Sequence, residues 1–435
     1  MNTLFLSSVY PNPAAPVRGT FNRAMCRALT EFGQVRVVAP VPWTECVPFI
    51  PRVSRRASPA ALQEFDQSHK EIESAAGRAC PPVLRPRFYY PPKVLRHAYG
   101  HFMWSSVRST VQQACRDFQP DLVLSYWAHP DGEAGLRAAR DLGAKAGVII
   151  GGSDVLLLTR TRKRRDAICR VLRESDVVLT VCDGLRERVI ELGASPERVH
   201  TVYQGVDRGL FCGGDQQAAR RSLNLSASAS DPIFLWVGRM VDVKRVDILL
   251  QAFERVRRVQ PRARLYMLGT GAMQSDVCGH IERLKLANSV SLMGAVNQKR
   301  LPEWYRAANA TVLSSDSEGL PNVLRESLSC ETPFVSTDVG SVSEIVSPEH
   351  SLLVPPGNSE ELSGAMLQIL EPVYQIGASL YQPRNWRDAA ADIAAIVDPA
   401  SPAGSTAISQ PNNYHEVSAS AECGVRNAEC GVQAD

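Results

Sequence analysis

The feature that most constrains this chain is an alternation. Short apolar runs and amphipathic helix-period segments follow one another along most of its length. TLFLSSVY (3–10) reads as a strand, FNRAMCRALTEFG (21–33) as a helix ended by Gly33, and QVRVVAPV (34–41) as the next strand. DLVLSYW (121–127), GEAGLRAARDLG (132–143) and KAGVIIGG (145–152) repeat the scheme, and DVVLTVC (176–182) with DGLRERVIELG (183–193) repeats it again. Apolar strands linked through helices form right-handed βαβ units around a buried parallel sheet.

The pattern breaks once and restarts. GVDRGLFCGGDQQ (205–217) is glycine-rich and turn-like, and SASASD (226–231) is a polar break. After it come IFLWVGR (233–239), VDILLQAFERVRRV (246–259), RLYMLGTG (264–271), SVSLMGAV (289–296), ATVLSSDS (310–317), PFVSTDVG (333–340) and LLVPPG (352–357). A length of 435 residues exceeds one ordinary core. The expected fold class is α/β, with two Rossmann-like doubly wound parallel-sheet domains facing a central cleft. The first domain is placed at 1–208, with 44–97 an irregular, Pro- and Arg-rich insertion or lid. The second is placed at 209–385. Residues 386–397 are expected to form a helix crossing back to the first domain. Residues 398–435, with the near-copies AECGVRN and AECGVQA at 421–434, are expected to be a disordered tail.

Hydrophobic content of 44% and charged content of 21% are those of a soluble globular protein. MNTLFLSSVYPNP lacks a basic leader, and Tyr10-Pro11 interrupts its apolar run, so it reads as a strand and not a signal peptide. The eleven cysteines include no CxxC pair, which suggests free thiols in a reducing cytoplasm. Net charge is +3, but residues 1–200 hold 28 Lys and Arg against 19 Asp and Glu. That basic half, with Arg162-Lys163-Arg164-Arg165, suits an anionic membrane face or a polyanionic substrate as well as a plain solvated surface.

In doubly wound sheets, ligands sit at the carboxyl ends of strands, so the chemistry is sought there. SDSEGLPNVLRESLSCE (315–331) follows the strand ATVLSSDS. Pro321 suits a first helical turn, whose free amides, around Asn322 and Val323, suit a phosphate. Glu318 precedes that helix and Glu326 lies inside it, so their roles differ: Glu318 can hydrogen-bond hydroxyls beyond the phosphates and Glu326 can take two vicinal hydroxyls, as on a ribose, the plain alternative being an acidic loop with a surface helix glutamate. VGRMVDVKRVD (237–247) places Arg239 and Lys244 after Gly238 at another strand end, where two cations would neutralise a pyrophosphate. GTGA (269–272) could bring backbone close to a base through Gly269 and Gly271. It is not a dinucleotide fingerprint, because Gln274 stands at its last position, and no GxxxxGK[ST] loop occurs. YWAHPDG (126–132) puts His129 at a strand end, while VRGTF (17–21) and GGSD (151–154) are glycine-bearing loops that could border the cleft.

Together these segments resemble glycosyltransferase family 4, whose members are retaining enzymes of the GT-B fold using nucleotide-activated sugars. EGLPNVLRE is similar to its E-x7-E motif, GRMVDVK to its G-R-x-x-x-x-K diphosphate site, and GTGA to its Gly-x-Gly turn. VYQGVDRGLF resembles the interdomain segment, with Gln204 in place of the usual Asn. Arg245 follows Lys244 where Gly is common. The resemblance spans about residues 3–370. It implies a donor site of Gly238, Arg239, Lys244, Gly269, Gly271, Glu318, Gly319, Leu320, Asn322, Val323 and Glu326. Glu318, His129, Arg239 and Lys244 would act in catalysis, with Gly19 and Asp154 on the acceptor side. No metal or other cofactor is implied, and Asp316-Ser317-Glu318 is not read as a metal triplet. The implied partners are a UDP- or GDP-linked sugar donor, a glycolipid, oligosaccharide or polysaccharide-precursor acceptor, and an anionic membrane contacted peripherally. Nucleic acid is not among them. Two alternatives share the architecture: a nucleotide-sugar epimerase and an inactive transferase kept as an assembly partner. The segment before 386 reads as shortened relative to the family.

Overall fold

The computed structural model describes residues 1–45, 58–75, 77, 79–225 and 231–399. The tail from 400, with its repeat at 421–434, lies outside the described residues, as do 46–57, 76 and 78 of the insertion and 226–230 of the polar break.

Two parallel sheets organise the chain. The first has seven strands in the order Val83–Leu84, Val35–Val38, Thr3–Leu6, Leu122–Tyr126, Lys145–Ile150, Val177–Thr180 and Val199–Thr201. The second has six, in the order Val290–Gly294, Arg264–Leu268, Ile233–Val237, Ala310–Leu313, Phe334–Thr337 and Ser351–Val354. The central strands bury both faces. Phe5 enters one core while Leu4 and Leu6 enter another, and Phe234 and Trp236 face away from Ile233 and Leu235 in the same manner. This two-residue period, apolar on both sides, is why the strands read as unbroken apolar runs.

The strand order reverses between Thr3–Leu6 and Leu122–Tyr126 in the first sheet, and between Ile233–Val237 and Ala310–Leu313 in the second. The loops leaving those four strands therefore splay apart and leave a crevice. They are the segments that carry Gly19, the YWAHPDG turn, Arg239 with Lys244, and Glu318.

The described part of residues 44–97 holds regular structure. A helix runs over Pro59–Ala75, Val83–Leu84 adds an edge strand to the first sheet, and Arg87–Phe88 pairs with Val41–Pro42. The helix escaped the sequence because none of its residues is buried, so it has no apolar stripe to read. Arg85 holds it by a two-pronged ion pair to Asp66, both bonds 2.7 Å.

The segment after the last strand holds more than was expected. Helix Ser359–Gln368 is followed by a further helix, Pro372–Ser379, whose buried face is Tyr374, Gly377 and Ala378. Its larger aliphatics, Val373 and Ile376, point outward, which hid its periodicity. Helix Trp386–Val397 then starts at a capping box, Asn385 with Asp388, and buries Trp386, Ala389, Ala390, Ile393 and Val397. These join the core that contains Met25 and Leu29 of helix Thr20–Leu29. The Val397 carbonyl accepts from Lys145 Nζ at 2.8 Å, so this helix lies on the first sheet's side of the molecule.

Candidate functional site

Glu318 stands at the centre of the cleft-lining loops. Lys244 Nζ donates to its Oε1 at 2.5 Å, and Ser315 Oγ donates to the same oxygen at 2.6 Å. Two motif residues 74 positions apart are thus in direct contact, both mostly buried. Lys244 reaches there because Asp242–Lys244 forms a single 3-10 turn, tied by Asp316 N–H donating to the Val243 carbonyl at 2.8 Å. Arg239 is exposed and has no ion pair among the described residues.

Arg245 sits in the left-handed region at φ 43 and ψ 49, a conformation that glycine adopts freely. Its guanidinium offsets that strain by forking onto Asp247 at 2.9 and 3.0 Å and reaching Asp316 at 3.2 Å. Both carboxylates of the Asp316-Ser317-Glu318 run are therefore held by cations of the facing loop.

Gly269 and Gly271 act first on protein backbone. A Cβ at Gly269 would lie 1.8 Å from the Gly238 carbonyl oxygen, and one at Gly271 2.1 Å from that of Met240. The GTGA turn thus packs flush behind the loop that carries Arg239, joined by Met240 N–H donating to the Thr270 carbonyl at 3.1 Å.

Helix Asn322–Ser329 begins after Pro321 and carries Glu326 on its inner face. Tyr305 donates to Glu326 Oε2 at 3.0 Å. Burial pushes the Glu326 carboxyl up to about 7, against the opposing pull of that hydroxyl and of Arg325. Asn322 donates to Gln204 at 3.3 Å and Arg325 to Asn322 at 3.3 Å. Asn322 and Glu326 line an interdomain cavity of about 380 Å³ with Arg23 and Arg27 of the first domain.

Leu320 packs against the main cores of both domains. Beside it, Gly319 meets Gly152, whose added Cβ would lie 3.4 Å from the Gly319 Cα. The EGLP turn and the GGSD loop are thus in van der Waals contact across the cleft. Asp154 stands behind this contact. Its carboxylate, 0% exposed, accepts from the Ala128 and Gly152 amides at 3.1 and 2.9 Å, and burial raises it to about 6. Asp154 therefore meets this contact through its loop, while its carboxylate is enclosed. Gly19 starts helix Thr20–Leu29 against the Val9 carbonyl, which Asn22 also holds at 2.7 Å.

His129 is enclosed as well. Its ring is 0% exposed and hydrogen-bonds the His97 carbonyl at 3.2 Å, with Glu133 3.8 Å away. Burial pulls its imidazole down to about 4, so it is neutral. The chain turns at Trp127, φ 78, just before the histidine. Tyr126 ends the strand, and its hydroxyl neighbours Gly151 and bonds Gln204.

Sequence reasoning missed a clasp between the domains. Glu344 Oε1 and Oε2 accept from the Gly184 and Asp183 amides, each at 3.0 Å, and Tyr203 donates to Oε2 at 2.7 Å. A second-domain carboxylate thus caps the N-terminus of the first-domain helix Asp183–Glu191, where the helix dipole favours negative charge. The acid in GSVSEIV gave no local signal, since its partners lie about 140–160 positions away. Glu344→Ala is expected to cost roughly 1–2 kcal/mol, as loss of a helix cap does. Solution scattering should also report a larger radius of gyration. An unchanged radius would show that the clasp does not hold the domains together.

Residues 20–210 match the family model described as Glycosyltransferase Family 4, and residues 231–372 the model described as Glycosyl transferases group 1. Among curated proteins, the chain is 26% identical over 393 residues to TuaC of Bacillus subtilis, a glycosyltransferase assigned to teichuronic acid biosynthesis. That match covers 88% of this chain and 93% of TuaC. It is 35% identical over 162 residues to the D-inositol 3-phosphate glycosyltransferase of Segniliparus rotundus, covering 36% of each. Among solved structures it resembles Anabaena HepE in complex with UDP and glucose, at TM-score 0.67 and 18% identity over 94% of this chain and all of that one. It also resembles sucrose-phosphate synthase of Thermosynechococcus elongatus, at TM-score 0.68 and 20% identity over 91% and 96% of the two chains. The two family models between them cover both sheets and the loops that carry the motifs, and the structural likenesses give the fold: the chain is a family 4, group 1 glycosyltransferase with the GT-B architecture.

Proposed function

We propose that this enzyme is a retaining hexosyltransferase that moves a sugar from a UDP-linked donor to a saccharide or lipid-linked saccharide used in polysaccharide synthesis. The observation that carries this reading is the Lys244–Glu318 contact at the point where the two domains touch. HepE is solved with UDP-glucose, which favours UDP over GDP, and the TuaC name favours a surface-polysaccharide acceptor. An epimerase would need no acceptor side, and no observation favours it.

In this reading Arg239 and Lys244 hold the diphosphate, with the first-turn amides of Asn322 and Val323. Glu318 exchanges its bond to Lys244 for a hydroxyl of the donor sugar, and Glu326 takes the ribose. Arg239 and Lys244 stabilise charge that builds on the leaving diphosphate as the anomeric C–O bond breaks. A phosphate oxygen takes the acceptor hydroxyl's proton as the new C–O bond forms on the same face. This scheme assigns no step to a metal or other cofactor. The place of work is the cytoplasmic membrane face, reached peripherally; among the described residues no helix is long and apolar enough to cross a membrane.

Thermal unfolding with UDP, GDP, ADP and CMP tests the donor site. UDP at a hundred times its dissociation constant should add about 2.7 kcal/mol. Arg239→Ala and Glu326→Gln should each abolish most of that shift. Ribose hydroxyls favour the ionised carboxylate, so protons compete with UDP for Glu326. Affinity is therefore expected to rise several-fold from about pH 6 to about pH 8, and Glu326→Gln to flatten the profile. No shift with any nucleotide in a protein that melts cooperatively would refute the assigned site.

A further inference from the structure

The first domain carries an exposed tip that the transfer reaction leaves unused. Pro92, Lys93, Val94, Leu95 and Arg96 form one exposed stretch, with Val94 56% and Leu95 54% open to solvent. Tyr89, 55% exposed, stands just before it. The backbone that displays these side chains is strained. Lys93 and Leu95 both occupy the left-handed region, at φ 68 and φ 49, on either side of Val94. Asn, Asp or Gly would relieve that strain at either position.

A cation cluster adjoins the tip. Helix Arg162–Glu174 opens with Arg162, Lys163, Arg164 and Arg165, and all but the half-buried Arg164 are exposed. The 3-10 turn Arg96–Ala98 packs against helix Arg162–Glu174, which puts the tip and the helix start side by side. A positive run at the first turn opposes the helix dipole and is unfavourable for the helix itself. Its placement beside protruding Val94 and Leu95 calls for an anionic partner that also accepts apolar side chains.

We propose that Val94 and Leu95 insert into the interfacial layer of an anionic lipid bilayer while Lys93, Arg96, Arg162, Lys163 and Arg165 bind its headgroups. The inference rests on the peripheral-membrane reading above and names the surface responsible. Apolar insertion and headgroup attraction are the two components of monotopic binding, and neither suffices alone. A protein partner would not require the two to coincide with lipid charge.

Sedimentation of the full chain with vesicles of phosphatidylglycerol and phosphatidylcholine in equal parts, and with phosphatidylcholine alone, tests this. The wild type is expected to bind the mixed vesicles, weaken with salt, and largely ignore the neutral ones. Replacing Arg162, Lys163 and Arg165 together by Gln should weaken binding roughly hundredfold, at about fivefold per cation. Val94→Asp with Leu95→Asp should weaken it at least about tenfold and leave the salt dependence of the remainder in place. Leu95→Asp relieves backbone strain, so this variant should melt no lower than the wild type. Both variants binding like the wild type would overturn the assigned surface while leaving the membrane reading intact. A wild type that ignores mixed vesicles at low salt would overturn both.

Discussion

Glu318→Gln is expected to lower turnover roughly hundredfold while UDP still binds with near wild-type affinity. The carboxylate is the shared acceptor of Lys244 and Ser315 in the free enzyme. An amide of the same size keeps the Ser315 contact but offers Lys244 a neutral oxygen. In the proposed reading, binding of UDP, which lacks the sugar, rests on Arg239, Lys244 and Glu326 and should survive. A loss confined to kcat would mark an interaction made in the transition state; a matching loss of UDP affinity would mean that Glu318 merely holds Lys244 in place. The measurement is turnover of a UDP-sugar beside calorimetric UDP binding. A kinetically neutral variant would remove Glu318 from the reaction.

Gly340→Ala should produce a large effect for a single methyl group. Gly340 has φ 59, and a Cβ there would lie 2.0 Å from the Glu318 carbonyl oxygen, 2.8 Å from its carbon and 3.1 Å from the Gly319 oxygen. Backbone and not a flexible side chain would have to move. The same turn holds Gly319 through the Ser341 amide at 3.1 Å, and Glu344 four residues on clasps the first domain. The substitution is expected to cost roughly 3 kcal/mol from the left-handed conformation and the clash together. It should also displace the Glu318–Gly319 turn and lower turnover about hundredfold in the protein that remains folded, since small misplacements of that size are costly. Equal activity per folded molecule would show that the turn tolerates the shift.

Most strands were legible because each is apolar on both faces, and that requires only neighbours in sequence. IFLWV, ATVL and FVST each stand where the periodicity placed them. Helix Val246–Val259 was legible through its buried stripe from Ile248 to Val256. Helices Pro59–Ala75 and Pro372–Ser379 were not, the first because none of its residues is buried and the second because its larger aliphatics face outward. In the site, Glu318, Lys244 and Glu326 were identifiable from spacing, as strand-end charges beside a helix start.

What the sequence determined by itself was therefore a pair of doubly wound domains and the charges lining the ends of their strands. Only the tertiary structure decided which of those charges meet. It joined Lys244 to Glu318, enclosed His129 and the Asp154 carboxylate, and brought Glu344 to the helix at Asp183. The physical reason is range. Local periodicity reports burial and turn chemistry within a few residues, while these contacts join loops up to about 160 positions apart, through the packing of two sheets whose relative placement no local pattern encodes.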